Sequence, residues 1–218
     1  MLKGILTILQ LQIRLEWLQR QSYFSLLIYI LSTSYLSYLA FEGRIELRTW
    51  NAVFWIIFLF AAVQAASRSF YFEAERRFLL YYGMVDPRSL ILGKIVYHFL
   101  YLCLIGIFTA GLLLFLAGPE LRSPVAFLVI IILAAAGFSG ILTFTAGLSA
   151  KAGNNPALPA ILSIPLLYPQ IITLTRVSEE ALKGFSWELN ANLMLVLSLI
   201  ALVGVLLAIL LFPYLWRD

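Results

Sequence analysis

The sequence predicts an all-α membrane protein with six transmembrane helices. Of its 218 residues, 62% are hydrophobic and only 12% are charged, whereas a soluble domain usually carries about 25% charged residues. Its mean hydropathy of +0.96 points the same way. Six segments approach the 20 or so apolar residues that a helix needs to cross a bilayer. These predicted spans cover residues 22–41, 51–67, 91–117, 125–148, 158–174 and 193–211.

The distribution of basic residues predicts the orientation of these spans. Lys and Arg accumulate in cytoplasmic loops, and ten of the fifteen basic residues fall in the N-terminal segment, alternate loops and the C-terminus. The other five are Arg44, Arg48, Arg122, Arg176 and Lys183. Both termini are therefore expected in the cytoplasm, as six spans require. The net charge of +4 follows from this asymmetry, so it does not point to a nucleic-acid partner.

The N-terminal segment 1–21 is predicted to form an amphipathic helix at the membrane surface. One helical face carries apolar residues and the opposite face carries polar ones. The apolar set is Leu2, Ile5, Leu6, Leu9 and Ile13. Such a helix lies in the headgroup region and anchors the first span. The alternative is a frayed cytoplasmic extension.

Segment 68–90 is predicted to form a short cytoplasmic helix followed by a turn. Aromatic residues and Ala74 recur at helical spacing, and Glu73 and Arg77 stand in the favourable i,i+4 order. The dipeptide Asp86-Pro87 is typical of a turn. The helix is either a docking element for a cytoplasmic partner or a solvated loop whose charges set the topology. The pattern leaves both interpretations open.

Two further features concern the packing of the predicted spans and loop 176–188. Gly106 and Ala110, and likewise Ala136 and Gly140, have the spacing that lets helices approach closely, and packing within one bundle is favoured over dimerisation. Loop 176–188 is expected to hold a short external interfacial helix. That helix would contain Glu179, Glu180, Lys183 and Trp187.

The sequence carries no recognisable catalytic site. A phosphate-binding loop needs a Gly-Lys pair with a glycine five residues before it and a hydroxyl residue after it, whereas Gly93-Lys94 has neither. The predicted spans contain no Asp, Glu, Lys or Arg away from their ends, so His98 is the candidate there. A packed histidine is favoured over a ligand because Cys103 lies on another helix face. We therefore expect no enzyme activity, cofactor or metal, and we expect ATP to be hydrolysed by another polypeptide.

Four stretches of the sequence resemble a known family. They are FYFEAERR at 70–77, LGKIVYH at 92–98, GFSGILTFTAGLSAKA at 137–152 and LPAILSIPLLYPQII at 158–172. With the arrangement of spans, they make the chain similar to haem exporter protein B (CcmB), the membrane subunit of a type-2 ABC exporter in cytochrome c maturation. The likeness covers nearly the whole chain. One departure is YYGMVD at 81–86, where a leucine- and proline-rich tract is usual.

The resemblance implies a multi-pass permease subunit of the bacterial inner membrane. It implies a homodimer that pairs with a cytoplasmic ATP-binding subunit (CcmA-like) and with a haem-handling membrane protein (CcmC-like). The work performed would be haem export or release of a haem-loaded chaperone for c-type cytochrome biogenesis. By position, docking of the ATPase falls on Phe72, Glu73, Glu75, Arg76 and Arg77, with Asp86, Pro87 and Lys94 shaping the return into the membrane.

Three other functions compete with this one. A type-2 ABC permease for another substrate, such as a lipid or a drug, has the same architecture. A passive assembly scaffold would hold partners together without driven motion. An intramembrane enzyme is a distant third, since only His98 is available to it.

Overall fold

The computed structural model of the chain describes residues 2–18, 20–74, 87–151 and 157–217. Throughout these residues the regular secondary structure is helical, and no strand occurs in them. The helices are α1 (Leu2–Leu18), α2 (Arg20–Ala40), α3 (Leu47–Ala74), α4 (Pro87–Ala117), α5 (Pro124–Lys151), α6 (Leu158–Lys183) and α7 (Trp187–Arg217). The prediction of an all-α chain is confirmed for the part described.

Five helices, α3 to α7, are long and apolar enough to cross a membrane. The apolar part of α2, Phe24–Ala40, is 17 residues long and falls just short, so the sixth span remains a prediction. Large apolar side chains are exposed along the helices, as with Leu104 (68% exposed) and Phe115 (86%). Water-soluble proteins rarely present so much continuous apolar surface. The chain is a multi-pass membrane protein.

The helices extend beyond the predicted spans. Helix α3 continues past residue 67 to Ala74, and at 1.5 Å per residue its 28 residues measure about 42 Å. Helix α6 runs unbroken to Lys183, so the short separate helix expected in loop 176–188 is absent from the structure described. Glu179, Glu180 and Lys183 lie in the last part of α6, and Trp187 begins α7. The i,i+4 ion pair between Glu179 and Lys183 supports this extension. Gly184, with φ of 125°, ends the helix in a conformation that favours glycine.

Because α2 to α7 alternate in direction, the bundle has two different ends. The connections 41–46, 118–123 and 184–186 lie together at what we call the loop end. There, Ser123 N–H donates to Ala181 O (3.2 Å), and Phe185 N–H donates to Ser123 Oγ (2.8 Å). At the opposite end, which we call the α1 end, α1 packs against the start of α4. Of the basic residues predicted to face the cytoplasm, those that the structure describes lie at the α1 end.

Helix α5 is the centre of the bundle. It packs against α3, α4, α6 and α7, and 67% of its most apolar 18-residue stretch is buried. On α3, Trp50, Phe54 and Phe58 follow one another at intervals of four residues and stack with nearly parallel rings. Phe58 in turn stacks on Phe138 of α5, with ring centroids 5.5 Å apart. This aromatic row forms the core between α3 and α5.

Glycines bring α5 and α7 into close contact. A Cβ atom added to Gly140 would lie 2.8 Å from Val205 N and 2.9 Å from Val205 Cα. A Cβ atom on Gly204 would lie 3.0 Å from Ile141 Cγ1. Gly106 of α4 likewise faces Ile131 of α5. These small residues therefore serve packing inside one bundle, as the sequence predicted.

Helix α1 contacts the bundle through a face that differs from the predicted apolar face. Ile8 and Gln12, one turn apart, are 4% and 3% exposed. One further turn back, a Cβ atom on Gly4 would lie 3.4 Å from Ser89 Cβ of α4. Ile13, from the predicted apolar face, is 48% exposed. The helix thus contacts protein along Gly4, Ile8 and Gln12 and presents Ile13 outward.

Candidate functional site

The residues predicted to dock an ATPase run from the last turn of α3 into the start of α4. Phe72 and Glu73 belong to the last turn of α3, so the predicted docking helix starts as a direct continuation of a span. Pro87 is the first residue of α4, a position where proline's missing N–H is no loss. Glu75, Arg76, Arg77 and Asp86 lie outside the described residues. Docking by these side chains therefore remains a prediction.

Lys94, the eighth predicted docking residue, lies inside the bundle. It sits two turns into α4, and its side chain is completely buried. Leu90 and His98, four residues to either side, are also buried, so all three share the inward face of α4. The family resemblance implied that Lys94 shapes the return of the chain into the membrane. Its placement midway between Leu90 and His98 was the signal that could have indicated burial.

His98 is fixed by a hydrogen bond to the central helix. Its Nδ1 lies 2.7 Å from Thr143 Oγ1 of α5, and both residues are buried. His98 Nε2 is buried as well and has no hydrogen-bond partner among the described residues. The same residues contain no group of three or more His, Cys, Asp and Glu able to hold a metal. The geometry is that of a packed histidine joining α4 to α5.

An apolar cluster surrounds the start of α4, and we call it the α4 anchor. It joins three helices of the bundle to α1 at the α1 end. Its buried members are Ile8 of α1, Leu90, Ile91 and Ile95 of α4, Ala146 of α5, and Ala208 and Phe212 of α7. Protein interiors are close-packed and transmit displacement between neighbours. A force on the segment before Pro87 would therefore reach α1, α5 and α7 through α4.

A hydrogen-bonded network joins α3 to α6 at the loop end. Asn51 Nδ2 donates to Thr175 O (2.8 Å), and Ser178 Oγ donates to Asn51 Oδ1 (2.7 Å). Ser178 Oγ also accepts a hydrogen bond from Trp55 Nε1 (2.8 Å). Asn51, Trp55 and Ser178 are all buried. Sequence reasoning missed this network because its members stand more than 120 positions apart in the chain.

Charged residues cover the network at the loop end. Arg48 Nε donates to Glu179 Oε1 (2.9 Å), and Lys183 Nζ lies 2.5 Å from the same oxygen. Arg122 also reaches Lys183, donating to its carbonyl oxygen at 3.3 Å. Helices α3 and α6 and the connection 118–123 are thereby held together. The loop end is tied by polar contacts, whereas the α4 anchor depends on apolar packing.

A third feature is an apolar cavity of about 380 Å³ between α5, α6 and α7. Ile141, Phe144, Pro169, Val203 and Gly204 are among the residues that line it. Its lining side chains carry no ionisable or hydrogen-bonding group. The cavity suits an apolar occupant and offers no group for acid–base or nucleophilic chemistry.

Comparison with known proteins identifies the family. The family model described as CcmB protein matches residues 3–214, which is nearly the whole chain. Neither the curated proteins nor the solved structures gave a match. The match spans α1, the α4 anchor and the loop-end network alike. The chain therefore belongs to the CcmB protein family.

Proposed function

We propose that this chain is the membrane subunit of an ATP-driven complex that exports haem or releases a haem-loaded chaperone for c-type cytochrome biogenesis. Membership of the CcmB family supports the link to haem. The observation that carries the mechanical part is the α4 anchor. Because α4 starts directly after the predicted docking segment and is packed against α1, α5 and α7, movement of that segment has a direct route into the bundle.

The energy for this movement comes from ATP hydrolysis in a separate subunit. Gly93 and Lys94 form the chain's one Gly-Lys pair, and both are buried within α4. In a phosphate-binding loop the backbone N–H groups face the nucleotide, whereas inside a helix they bond to carbonyl oxygens four residues earlier. This supports a CcmA-like cytoplasmic ATPase as the partner, docked on Phe72, Glu73, Glu75, Arg76 and Arg77.

The proposed setting is the bacterial inner membrane, with six spans and both termini in the cytoplasm. The α1 end then faces the ATPase, and the loop end faces outward, where a CcmC-like protein would receive or hold haem. Two copies of the chain would pair with two ATP-binding subunits. The distribution of basic residues between the two ends supports this orientation.

The primary test is deletion of the gene, followed by haem staining of c-type cytochromes. We expect their loss, with recovery when the wild-type chain is supplied. Normal cytochromes in the deletion strain would refute the role in haem delivery. The same strain, complemented and carrying an ATPase partner that cannot hydrolyse ATP, tests the scaffold alternative. A passive scaffold would still support cytochrome formation.

A second experiment tests the docking segment itself. The triple variant Glu73→Ala, Arg76→Ala and Arg77→Ala should insert normally but lose co-purification of the ATPase. The matched control replaces Arg44, Glu46 and Arg122 by alanine at the loop end, with the same change in charge. If the docking variant retains its ATPase as well as the control does, the segment only sets topology.

The apolar cavity favours one alternative, a permease for a lipid or drug. At about 380 Å³ it lies within the size range of small-molecule sites, and it opens between lipid-facing helices. A transport defect in a deletion strain with normal c-type cytochromes would support that alternative over haem delivery.

A further inference from the structure

A small, open cavity lies between α3 and α6 at the loop end. It measures about 200 Å³ and is lined by Arg48, Asn51, Ala52, Thr175, Arg176 and Glu179. The apolar part of α3 that could cross a membrane begins at Leu47, and that of α6 ends at Lys183, so the cavity lies near these ends of both helices. A bilayer spanned by the two helices would have its headgroups close to the cavity.

The charges around this cavity do not balance. Two guanidinium groups and one carboxylate line it, and the carboxylate of Glu179 is already bound by Arg48 and by Lys183. Arg176 is exposed and makes no hydrogen bond or ion pair with any part of the chain that the structure describes. The cavity thus has an uncompensated cation at its rim.

Asn51 provides a fixed polar group beside these charges. It is 3% exposed, and its amide is held by Thr175 O on one side and Ser178 Oγ on the other. An asparagine NH₂ group has two donors. One of them is used by Thr175 O, which leaves the second for an acceptor in the cavity.

We infer that this cavity binds one anionic oxygen group, a phosphate or a carboxylate, through Arg176 and Arg48 with Asn51 beside them. A guanidinium offers parallel N–H donors whose spacing matches such groups. The phosphate of an anionic phospholipid is one source, because the headgroups of a bilayer spanned by α3 and α6 would lie close to the cavity. The carboxylates of haem are the other, and that source alone rests on the proposed function.

The test uses the full-length chain purified in neutral detergent, with bound lipid counted by native mass spectrometry. Phosphatidylglycerol and phosphatidylcholine are compared in one arm. Haem and its dimethyl ester, which lacks carboxylates, are compared by absorbance titration in the other. We expect phosphatidylglycerol to bind better than phosphatidylcholine, or haem better than its ester, and the preferred ligand identifies the source.

Two substitutions make the result specific to the cavity. Arg176→Gln should weaken binding of the preferred ligand roughly tenfold, the value for losing one charge-assisted hydrogen bond. The matched control, Arg44→Gln, removes an exposed arginine from the same end of the bundle and should leave binding unchanged. Arg176→Lys keeps the charge but loses the two-donor fork, so its affinity should fall between those of wild type and Arg176→Gln.

Two outcomes would overturn the inference. One is equal binding of the charged and neutral member of both ligand pairs. The other is equal weakening by Arg176→Gln and Arg44→Gln, which would indicate a general surface charge effect. Because the assay needs neither an ATPase nor cytochrome formation, its failure is distinct from failure of the proposed function.

Discussion

The two ends of the bundle are held together by different kinds of contact. At the loop end, α3 and α6 are joined by hydrogen bonds among Asn51, Trp55 and Ser178, under the ion pair of Arg48 with Glu179. At the α1 end, the α4 anchor joins α1, α4, α5 and α7 through aliphatic and aromatic side chains. The loop-end network is thus directional and the α4 anchor is not, while the hydrogen bond between His98 and Thr143 lies one turn beyond the anchor.

This difference assigns separate mechanical roles to the two ends. Hydrogen bonds require distances within a few tenths of an ångström, so α3 and α6 are fixed relative to each other at the loop end. Apolar contacts have no preferred direction, so the packed residues of the α4 anchor can shift together without breaking a hydrogen bond. We expect the loop end to act as a fixed point and the α1 end to move when a partner pushes on the segment before α4. Four substitutions test this division, from the largest expected effect to the smallest.

The largest effect is expected between the two ends of the bundle, at the contact of α5 with α7. Gly140→Ala places a Cβ atom 2.8 Å from Val205 N, and backbone atoms cannot rotate away as side chains do. We expect a loss of about 3 kcal/mol in the free energy of unfolding, at the upper end for overpacking. The measurement is unfolding of the purified protein by denaturing detergent.

Gly111→Ala is the matched control for that substitution. Gly111 lies in helix α4, and a Cβ atom added there meets nothing within 4 Å. Because alanine is the better helix former, this variant should gain up to about 1 kcal/mol. Equal effects of the two substitutions would show that the close approach of α5 and α7 contributes nothing.

The second effect is expected in the α4 anchor. Ile91 is completely buried, and Ile91→Ala would leave a cavity among the residues that join α4 to α1 and α7. We expect the free energy of unfolding to fall by about 2 kcal/mol. This value is at the low end for such truncations, because apolar side chains that leave the bundle enter lipid rather than water. We also expect reduced stimulation of the partner ATPase. Leu104→Ala, on the lipid-facing side of α4, should alter neither quantity.

These comparisons also show which parts of the structure could be predicted from the sequence. Long apolar runs predicted the positions of the helices, because about 20 such residues are needed for each crossing. They did not predict where helices end. The end of α6 depends on Gly184 and on the Glu179–Lys183 pair, which hydropathy does not register.

Contacts between distant residues were beyond the reach of sequence patterns. Asn51 and Ser178 read as ordinary polar residues near predicted helix ends, and their hydrogen bond depends on how α3 and α6 pack. The burial of Lys94 depends in the same way on tertiary packing around the start of α4. Local periodicity contains no information about either arrangement, since each is created by tertiary packing.

The third effect is expected in the loop-end network. Asn51→Ala removes one acceptor of Ser178 Oγ and the side-chain donor to Thr175 O, and we expect the free energy of unfolding to fall by about 1–2 kcal/mol. A double-mutant cycle with Ser178→Ala should show a smaller combined loss than the sum of the two, because they remove the same bond. Ser32→Ala is the control, since its hydroxyl bonds only within α2 and is exposed. Strict additivity would contradict a shared network.

The smallest effect is expected from the ion pair that covers the network. The Arg48 side chain is 74% exposed, so its 2.9 Å contact with Glu179 is weakened by water and salt. Arg48→Ala should therefore lower the free energy of unfolding by no more than about 1 kcal/mol, and the loss should shrink as salt is raised. A salt-independent loss as large as that of Asn51→Ala would mean that Arg48 stabilises the loop end by more than its charge. The fixed point would then extend to the surface of the bundle, rather than being confined to the buried hydrogen bonds between α3 and α6.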